Sequence, residues 1–589
     1  MSQPQLIILC DGPPSTADKN IARIAQHLGV SSVYRKVDET RAAVGPDAVI
    51  AASWDTLQKL LKSFGADSVR GLAALAARSI LAYGWCDSKE CREFAADLTG
   101  GAVAGINVNK KPNCEISVAA GTRDLSRQLE GVKFTAPGGV GRVNFSRASN
   151  GCKVREIMSR DAEPFFLETD IGGTGIFLLG AGQFADLDSR LPKKFALLDE
   201  LEGLAPLVMF VRKNFSQQCW EAEKIWGCLI IDDPLLRMNY GFLNYADLLT
   251  SMESHRYSTC IAFIPWNYRR TAEPVARVFN QFPHRLSICV HGCDHTGGEF
   301  ATTNEPELRQ LLHSALWRME QHQSLSTVPF DPVMVFPQGR FSHVAMKALG
   351  ESRIPAVINS SPFPVDYQEG ALTLAEMCEP AITSFSECSL FVRHYPRIPA
   401  EFAFDLFLGK PLLIVEHHKI FQGGTKKMEE FVDRLNAMDD AITWSNPATI
   451  CSQACLRRSA GANRWDVRFY TDQFTLTNRG DQPADYTLFR RLSPGRKIES
   501  VHTDGKLSDW SEDGDYLKLS VHLDAGQKTT VAIARVPPPP LAGTFQRKPF
   551  DETKARLRRH LSEFRDNFVD KSPWATHAVR AARGLVKKR

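Results

Sequence analysis

The sequence has no long apolar run, no cysteine motif and no phosphate-binding glycine loop, and each absence narrows what the chain can be. None of its apolar stretches reaches the ~18 residues that a bilayer-crossing helix needs. The opening segment carries no basic stretch ahead of the apolar residues 6–9, and Asp11 cuts that run short. It is therefore expected to be a first strand and not an export signal. Fourteen cysteines make no C-x-x-C pair; Cys86 and Cys91 lie close together, without a second pair to complete a zinc knuckle. Scattered in this way they read as reduced, buried, small side chains, which points to the cytoplasm. Glycines crowd 173–182 and 138–141, but neither stretch gives G-x-G-x-x-G between a strand and a helix, and no Walker lysine follows. Turns are their expected use.

An excess of one charge is missing as well. The formal net charge is only +4, and specific nucleic-acid recognition is not expected. The imbalance is local: residues 541–589 hold 13 Lys/Arg against 5 Asp/Glu, leaving the rest of the chain at −4. Such a tail suits a weak contact with an anionic surface, although a solvated helix with a frayed end has the same composition.

What is present is an ordinary globular composition, 43% hydrophobic and 23% charged, over a length that predicts two to four domains. Residues 1–215 alternate short apolar runs (6–9, 48–52, 80–84, 175–180) with helical periodicity, the pattern of an α/β open sheet. From 220 to 445 the βα alternation becomes regular, with strands expected at 225–232, 260–264, 286–291, 333–336, 356–358 and 412–416. That length matches one (β/α) barrel. Residues 455–540 change to alternating strands with turns at Asn478-Arg-Gly-Asp and Glu512-Asp-Gly-Asp, read as a small antiparallel β-sandwich. A proline run at 537–540 leads into a basic helical tail, 541–589, with a Leu557/Leu561/Phe564/Phe568 stripe.

Two of the barrel strands end in ionisable residues. One apolar run closes on Asp232-Asp233, the other on His291-Gly-Cys-Asp-His295. Polar groups past the ends of separate strands are how α/β barrels build their sites. One carboxylate and two imidazoles make a three-ligand set for a divalent metal, and a second carboxylate beside it can serve as a base. Alone, Asp-Asp is commonly a turn, and His-x-x-x-His without the zincin glutamate is a weak motif. Together, and followed by Glu416-His417-His418 at a later strand end, they favour a metal site. A two-His-one-carboxylate set also fits non-haem iron, but the adjacent aspartates and the absence of His-x-Asp favour hydrolysis.

At these residues the sequence resembles the NodB-type polysaccharide deacetylases, carbohydrate esterases on a distorted (β/α) barrel, over about residues 220–445. The resemblance implies an α/β fold of deacetylase type and a metal, most simply Zn2+, bound by Asp233, His291 and His295. It implies Asp232 as the general base toward water, and His417 or His418 as the acid that protonates the leaving amine. A nitrogen leaving as an anion is prohibitive, so such a proton donor is chemically required. The family's third motif is replaced by Phe336-Pro337-Gln338-Gly339-Arg340, from which Arg340 is expected to bind substrate or to orient the base. No clear fourth motif is present; Arg393 and His394 lie where it would be sought. Trp266 and Tyr268, just past the second barrel strand, suit stacking on sugar rings or capping of the core. The expected activity is removal of N-acetyl groups from a sugar or glycan precursor. The alternatives are a degenerate deacetylase fold serving as a glycan-binding scaffold, or the same chemistry on a non-sugar amide or O-acetyl ester.

Overall fold

The computed structural model describes residues 4–40, 45–64, 68–75, 77–137, 139, 141–148, 154–493, 495–538 and 549–572. The N-terminal part is built on a nine-stranded sheet. Five neighbouring strands, Ser32–Lys36, Leu6–Cys10, Val49–Ser53, Ser79–Tyr83 and Thr174–Leu179, run parallel. The α/β alternation of the sequence corresponds to this half. The other half is antiparallel: Glu163–Ile171, Arg155–Arg160, Asn113–Val118 and Lys133–Pro137. Its signal is turn chemistry: Asp161 and Ala162 both hold positive φ (51° and 68°) in the two-residue connection of a hairpin.

The second sheet forms the barrel, whose strands we number β1 (Trp226–Asp232), β2 (Thr259–Phe263), β3 (Leu286–His291), β4 (Asp331–Val335), β5 (Ala356–Asn359), β6 (Ser389–Val392) and β7 (Leu412–His417). They lie in the order β6-β5-β4-β3-β2-β1-β7, and every pair is parallel. The curled sheet meets itself through a single residue, two positions past the end of β6. His394 donates its N–H to the Leu413 carbonyl (2.9 Å) and accepts from Val415 N (2.9 Å), bridging to Ile414.

Strand alternation then decides which side chains reach the mouth. Cys228 and Ile230 of β1, Cys260 and Ala262 of β2, Cys289 of β3, Val335 of β4, Phe391 of β6 and Leu413 of β7 pack in one interior cluster. Their neighbours Leu229, Ile231, Ile261, Val290, Val392 and Ile414 pack on the outer side with the helices. Two residues further along the interior parity lie Asp232, His291 and Arg393, and four beyond Leu413 lies His417. The β1–β7 register places Asp232 opposite His417. The site is thus a consequence of period two on four strands.

Residues 455–535 form two sheets, one of which recruits Glu221–Ala222 as an edge strand. The expected purely antiparallel sandwich is corrected here: Arg464–Phe469 and Ala484–Arg491 pair in parallel. The intervening strand Gln473–Thr477 crosses to the other sheet, so the chain returns in its original direction. Among the described residues, twelve cysteines are buried, Cys86 is exposed, and none is in a disulfide. No described helix is long and apolar enough to cross a membrane.

The tail contains a helix, Pro549–Phe564, followed by a π turn, Arg565–Val569. Its apolar stripe points outward: Leu557, Leu561, Phe564 and Phe568 are 57–65% exposed. The opposite, charged face lies on the barrel mouth.

Candidate metal centre

Asp233 follows the last residue of β1 with φ 83°. A non-glycine residue in that region is strained, and such strain concentrates at functional sites. The turn separates the two carboxylates. Asp232 continues the interior face of β1, while Asp233 swings toward the loop after β3. There His291 ends the strand, and Gly292 turns at φ 65°. A Cβ on Gly292 would stand 2.3 Å from both Glu299 Oε1 and Pro337 Cγ, so only glycine fits.

Glu299 is the organiser of this loop. Its carboxylate accepts from the backbone N–H groups of Cys293 (2.6 Å), Asp294 (3.2 Å), His295 (3.1 Å) and Thr296 (3.3 Å). Four converging amides hold His295 at its unusual φ of 57°. A second pair, Arg318 to the fully buried Asp294 (2.6 Å), ties the loop to the long helix Glu305–Ser326. Replacing Glu299 by Gln leaves part of that amide cluster without a charged acceptor. Zn2+ affinity of the Glu299→Gln variant is expected to fall about 10- to 100-fold, read by chelator competition.

Three ligand-type atoms meet at the mouth. His291 Nε2 and His295 Nε2 lie 3.5 and 3.2 Å from Asp233 Oδ1, and all three fall within 4.8 Å of one another. Asp233 Oδ1 is buried yet has no hydrogen-bond partner. An orphaned buried carboxylate oxygen facing two imidazole nitrogens fits a divalent cation, whose charge would satisfy it. His291 is prepared for that role: its Nδ1 lies 3.0 Å from the Val335 carbonyl. Donation to that carbonyl fixes the tautomer that leaves the Nε2 lone pair free.

The electrostatics of Asp233 and His295 agree. Burial alone would raise the Asp233 carboxyl, but the two histidines, His295 foremost, hold it well below the usual range. For His291, burial opposes protonation while Asp232 and Asp233 favour it, and the net effect is upward. His295 is pushed down to about 4 by burial, with His291 and Arg559 adding to the effect. A neutral imidazole beside an ionised carboxylate is the protonation state a cation site requires.

Asp232 is held by a residue that the sequence reading did not assign. Arg393 grips it with both arms, Nη1 to Oδ1 at 2.7 Å and Nη2 to Oδ2 at 2.6 Å, with both side chains almost fully buried. Burial would raise the Asp232 carboxyl, but Arg393 and then His291 bring it below its ordinary value. A bidentate pair still leaves lone pairs on both oxygens, so Asp232 can accept a proton. The expectation that Arg340 orients the base is corrected: Arg340 is exposed, its guanidinium beside Gly298. The turn at Pro337–Gly339, with Gln338 at φ 58°, carries the chain away from the barrel axis before Arg340 is reached. Breaking the buried pair in Arg393→Met is expected to destabilise the protein by about 3–5 kcal/mol, measured by chemical denaturation.

The two candidate acids part company. His417 keeps the interior parity of β7, is half-buried, and lies in stack with Tyr395 (6.4 Å between centroids, 6° interplanar). Its charge, when protonated, bears on both Asp232 and Asp233. His418 turns the other way into a pocket of Tyr240 and Phe242, its Nδ1 accepting from Phe242 N (3.5 Å) and its Nε2 3.5 Å from Asp566. Trp266 meets His560 of the C-terminal helix edge-on, and Tyr268 meets Trp317. The structure therefore gathers Asp232, Asp233, His291, His295 and His417, and places His418 and Arg340 apart from them.

The sequence matches no protein-family profile and no curated protein. In structure the chain is similar to Agd3, a carbohydrate deacetylase, at 10% identity and a TM-score of 0.47 over 90% of this chain and 98% of that one. It is also similar to the Bc1960 peptidoglycan N-acetylglucosamine deacetylase (15% identity, TM-score 0.25, 39% of this chain and 90% of that one). A third similarity is to BA3943, a CE4-family pseudoenzyme from Bacillus anthracis (12% identity, TM-score 0.22, 37% and 63%).

Proposed function

We propose that this protein is a metal-dependent hydrolase that removes N-acetyl groups from a carbohydrate, with Asp233, His291 and His295 as the ligands. The observation that carries the reading is the orphaned Asp233 oxygen facing two imidazole nitrogens, beside an arginine-clamped second carboxylate. When bound, a divalent cation supplies polarisation of the acetyl carbonyl and acidification of water. The remaining work falls to side chains. Asp232 takes the proton of the attacking water on a carboxylate oxygen, and Arg393 fixes the plane of that carboxylate. His417, across the β1–β7 register, delivers a proton to the departing nitrogen as the C–N bond breaks. Acid and base thus sit on adjacent strands with the ligand set beside them.

The test is acetate release by the purified full chain, loaded with Zn2+, from a panel of N-acetylated and O-acetylated sugars. Release from an N-acetylated sugar, lost in Asp232→Asn, supports the reading. Failure to release acetate from any member at full zinc occupancy contradicts it.

A scaffold reading has one observation in its favour: a helix of the chain itself lies over the mouth. Sugar affinity without hydrolysis, in zinc-loaded protein whose mouth helix has been loosened, would select that reading.

A further inference from the structure

The C-terminal helix and the turn after it touch the loops after β1, β2, β3 and β7. Arg558 donates to the Thr296 carbonyl (2.9 Å), and a Cβ on Gly297 would meet its guanidinium at 2.8 Å. Glu563 pairs with Arg270 of the loop after β2 (2.7 Å to Nη2). Asp566 accepts from the Tyr240 hydroxyl (2.8 Å), and Asn567 accepts from Gly241 N (2.9 Å), both in the loop after β1. Asp570 pairs with Lys419 beyond β7 (2.9 Å). The fit at Gly241 is close: with φ 55°, a Cβ there would stand 2.2 Å from His418 Nδ1.

The decisive contact is Arg559, only 5% exposed. Its Nη2 lies 3.2 Å from His295 Nδ1 and 3.3 Å from the His295 carbonyl. A guanidinium has donors only, so His295 must accept at Nδ1. The ring proton of neutral His295 then sits on Nε2, in the space where the three ligand atoms converge. His291 has the reverse arrangement, with Nδ1 toward a carbonyl acceptor. Ligation through Nε2 would place the His295 proton on Nδ1, N–H against N–H at 3.2 Å from Arg559. The docked helix and the bound cation therefore demand opposite tautomers of one imidazole.

We propose that the C-terminal helix is an internal competitor for the metal: docked, it uses Arg559 to hold His295 in its non-ligating tautomer, and metal loading requires its release. This rests on the metal reading above. Because the same helix spans the loops after β1, β2, β3 and β7, its release also opens the mouth to a glycan. Arg559 is a positioning residue acting through His295.

The experiment titrates the full chain with Zn2+ alone, by competition with a chromophoric chelator, and follows hydrogen exchange of residues 549–572 in the wild type. Arg559→Met, which keeps the aliphatic stem but no donor or charge, is expected to bind Zn2+ about tenfold or more tighter. Arg559→Lys, still a cationic donor, is expected to stay near wild type. Saturating Zn2+ is expected to speed exchange across the helix. Equal or weaker Zn2+ binding by Arg559→Met overturns the proposal, and so does exchange in the wild type that is unchanged or slowed by Zn2+, a readout independent of any variant's folding. Zn2+ binding in wild type, lost in Asp233→Ala but indifferent to Arg559, would sink this inference and leave the metal reading standing. No Zn2+ binding by either wild type or Arg559→Met would remove both.

Discussion

Asp232→Asn is expected to bind Zn2+ as the wild type does and to lose turnover by about 10²- to 10⁴-fold, the range a positioned general base supplies. The substitution removes the proton acceptor while leaving Asp233, His291 and His295 in place. Its amide oxygen can still accept one arm of Arg393, but the other guanidinium arm meets an NH2 donor in a buried site. A loss of about 3 kcal/mol in stability should therefore accompany the loss of rate. Zinc content and acetate release, measured on the same preparation, separate the two effects. Wild-type turnover in zinc-loaded Asp232→Asn would remove Asp232 from the mechanism.

The second large effect belongs to the ligands. Asp233→Ala, His291→Ala and His295→Ala each delete one of three donor atoms. Dividing the ~10–16 kcal/mol of a four-ligand zinc site equally gives about 3 kcal/mol per ligand, on the order of a hundredfold in affinity. Turnover at micromolar zinc should fall to background in all three. The variants should differ in stability. His291→Ala opens space in a fully buried position and frees the Val335 carbonyl, whereas the loop that carries His295 is held by Glu299 without use of the His295 ring. His291→Ala is thus expected to be the less stable protein, read by chemical denaturation. Retention of tight zinc binding by all three would place the metal elsewhere.

The ligand set was legible because it is written in strand ends: short apolar runs that stop on Asp232-Asp233 and His291. The same logic could have found Arg393. The run Leu390-Phe391-Val392 leads into it as β1 leads into Asp232, but the strand that contains it, Ser389–Val392, is only four residues long and sits among Ser, Cys and Glu. So short a strand carries little periodicity, and Arg340 drew attention through its place in the altered third motif. The choice between His417 and His418 needed the β7 register, since two consecutive residues point to opposite faces and only pairing with Asp232 says which is inward. The antiparallel half of the first sheet was lost among turns: Asn113–Val118 and Lys133–Pro137 alternate buried and exposed positions over only six and five residues. The helix over the mouth was the least legible element. Its apolar stripe suggests a buried face, yet the stripe is exposed and the charged face is docked, because Arg559, Glu563 and Asp566 find partners that only the assembled barrel provides.

The central claim is that Asp233, His291 and His295 hold a divalent metal at the barrel mouth. X-ray absorption at the zinc edge of the zinc-loaded full chain tests it most directly. Nitrogen and oxygen scatterers are expected at about 2.0–2.1 Å with two imidazoles and no sulfur, and one imidazole contribution is expected to be lost in His295→Ala. A sulfur shell near ~2.3 Å, or a spectrum unchanged by His295→Ala, would contradict it.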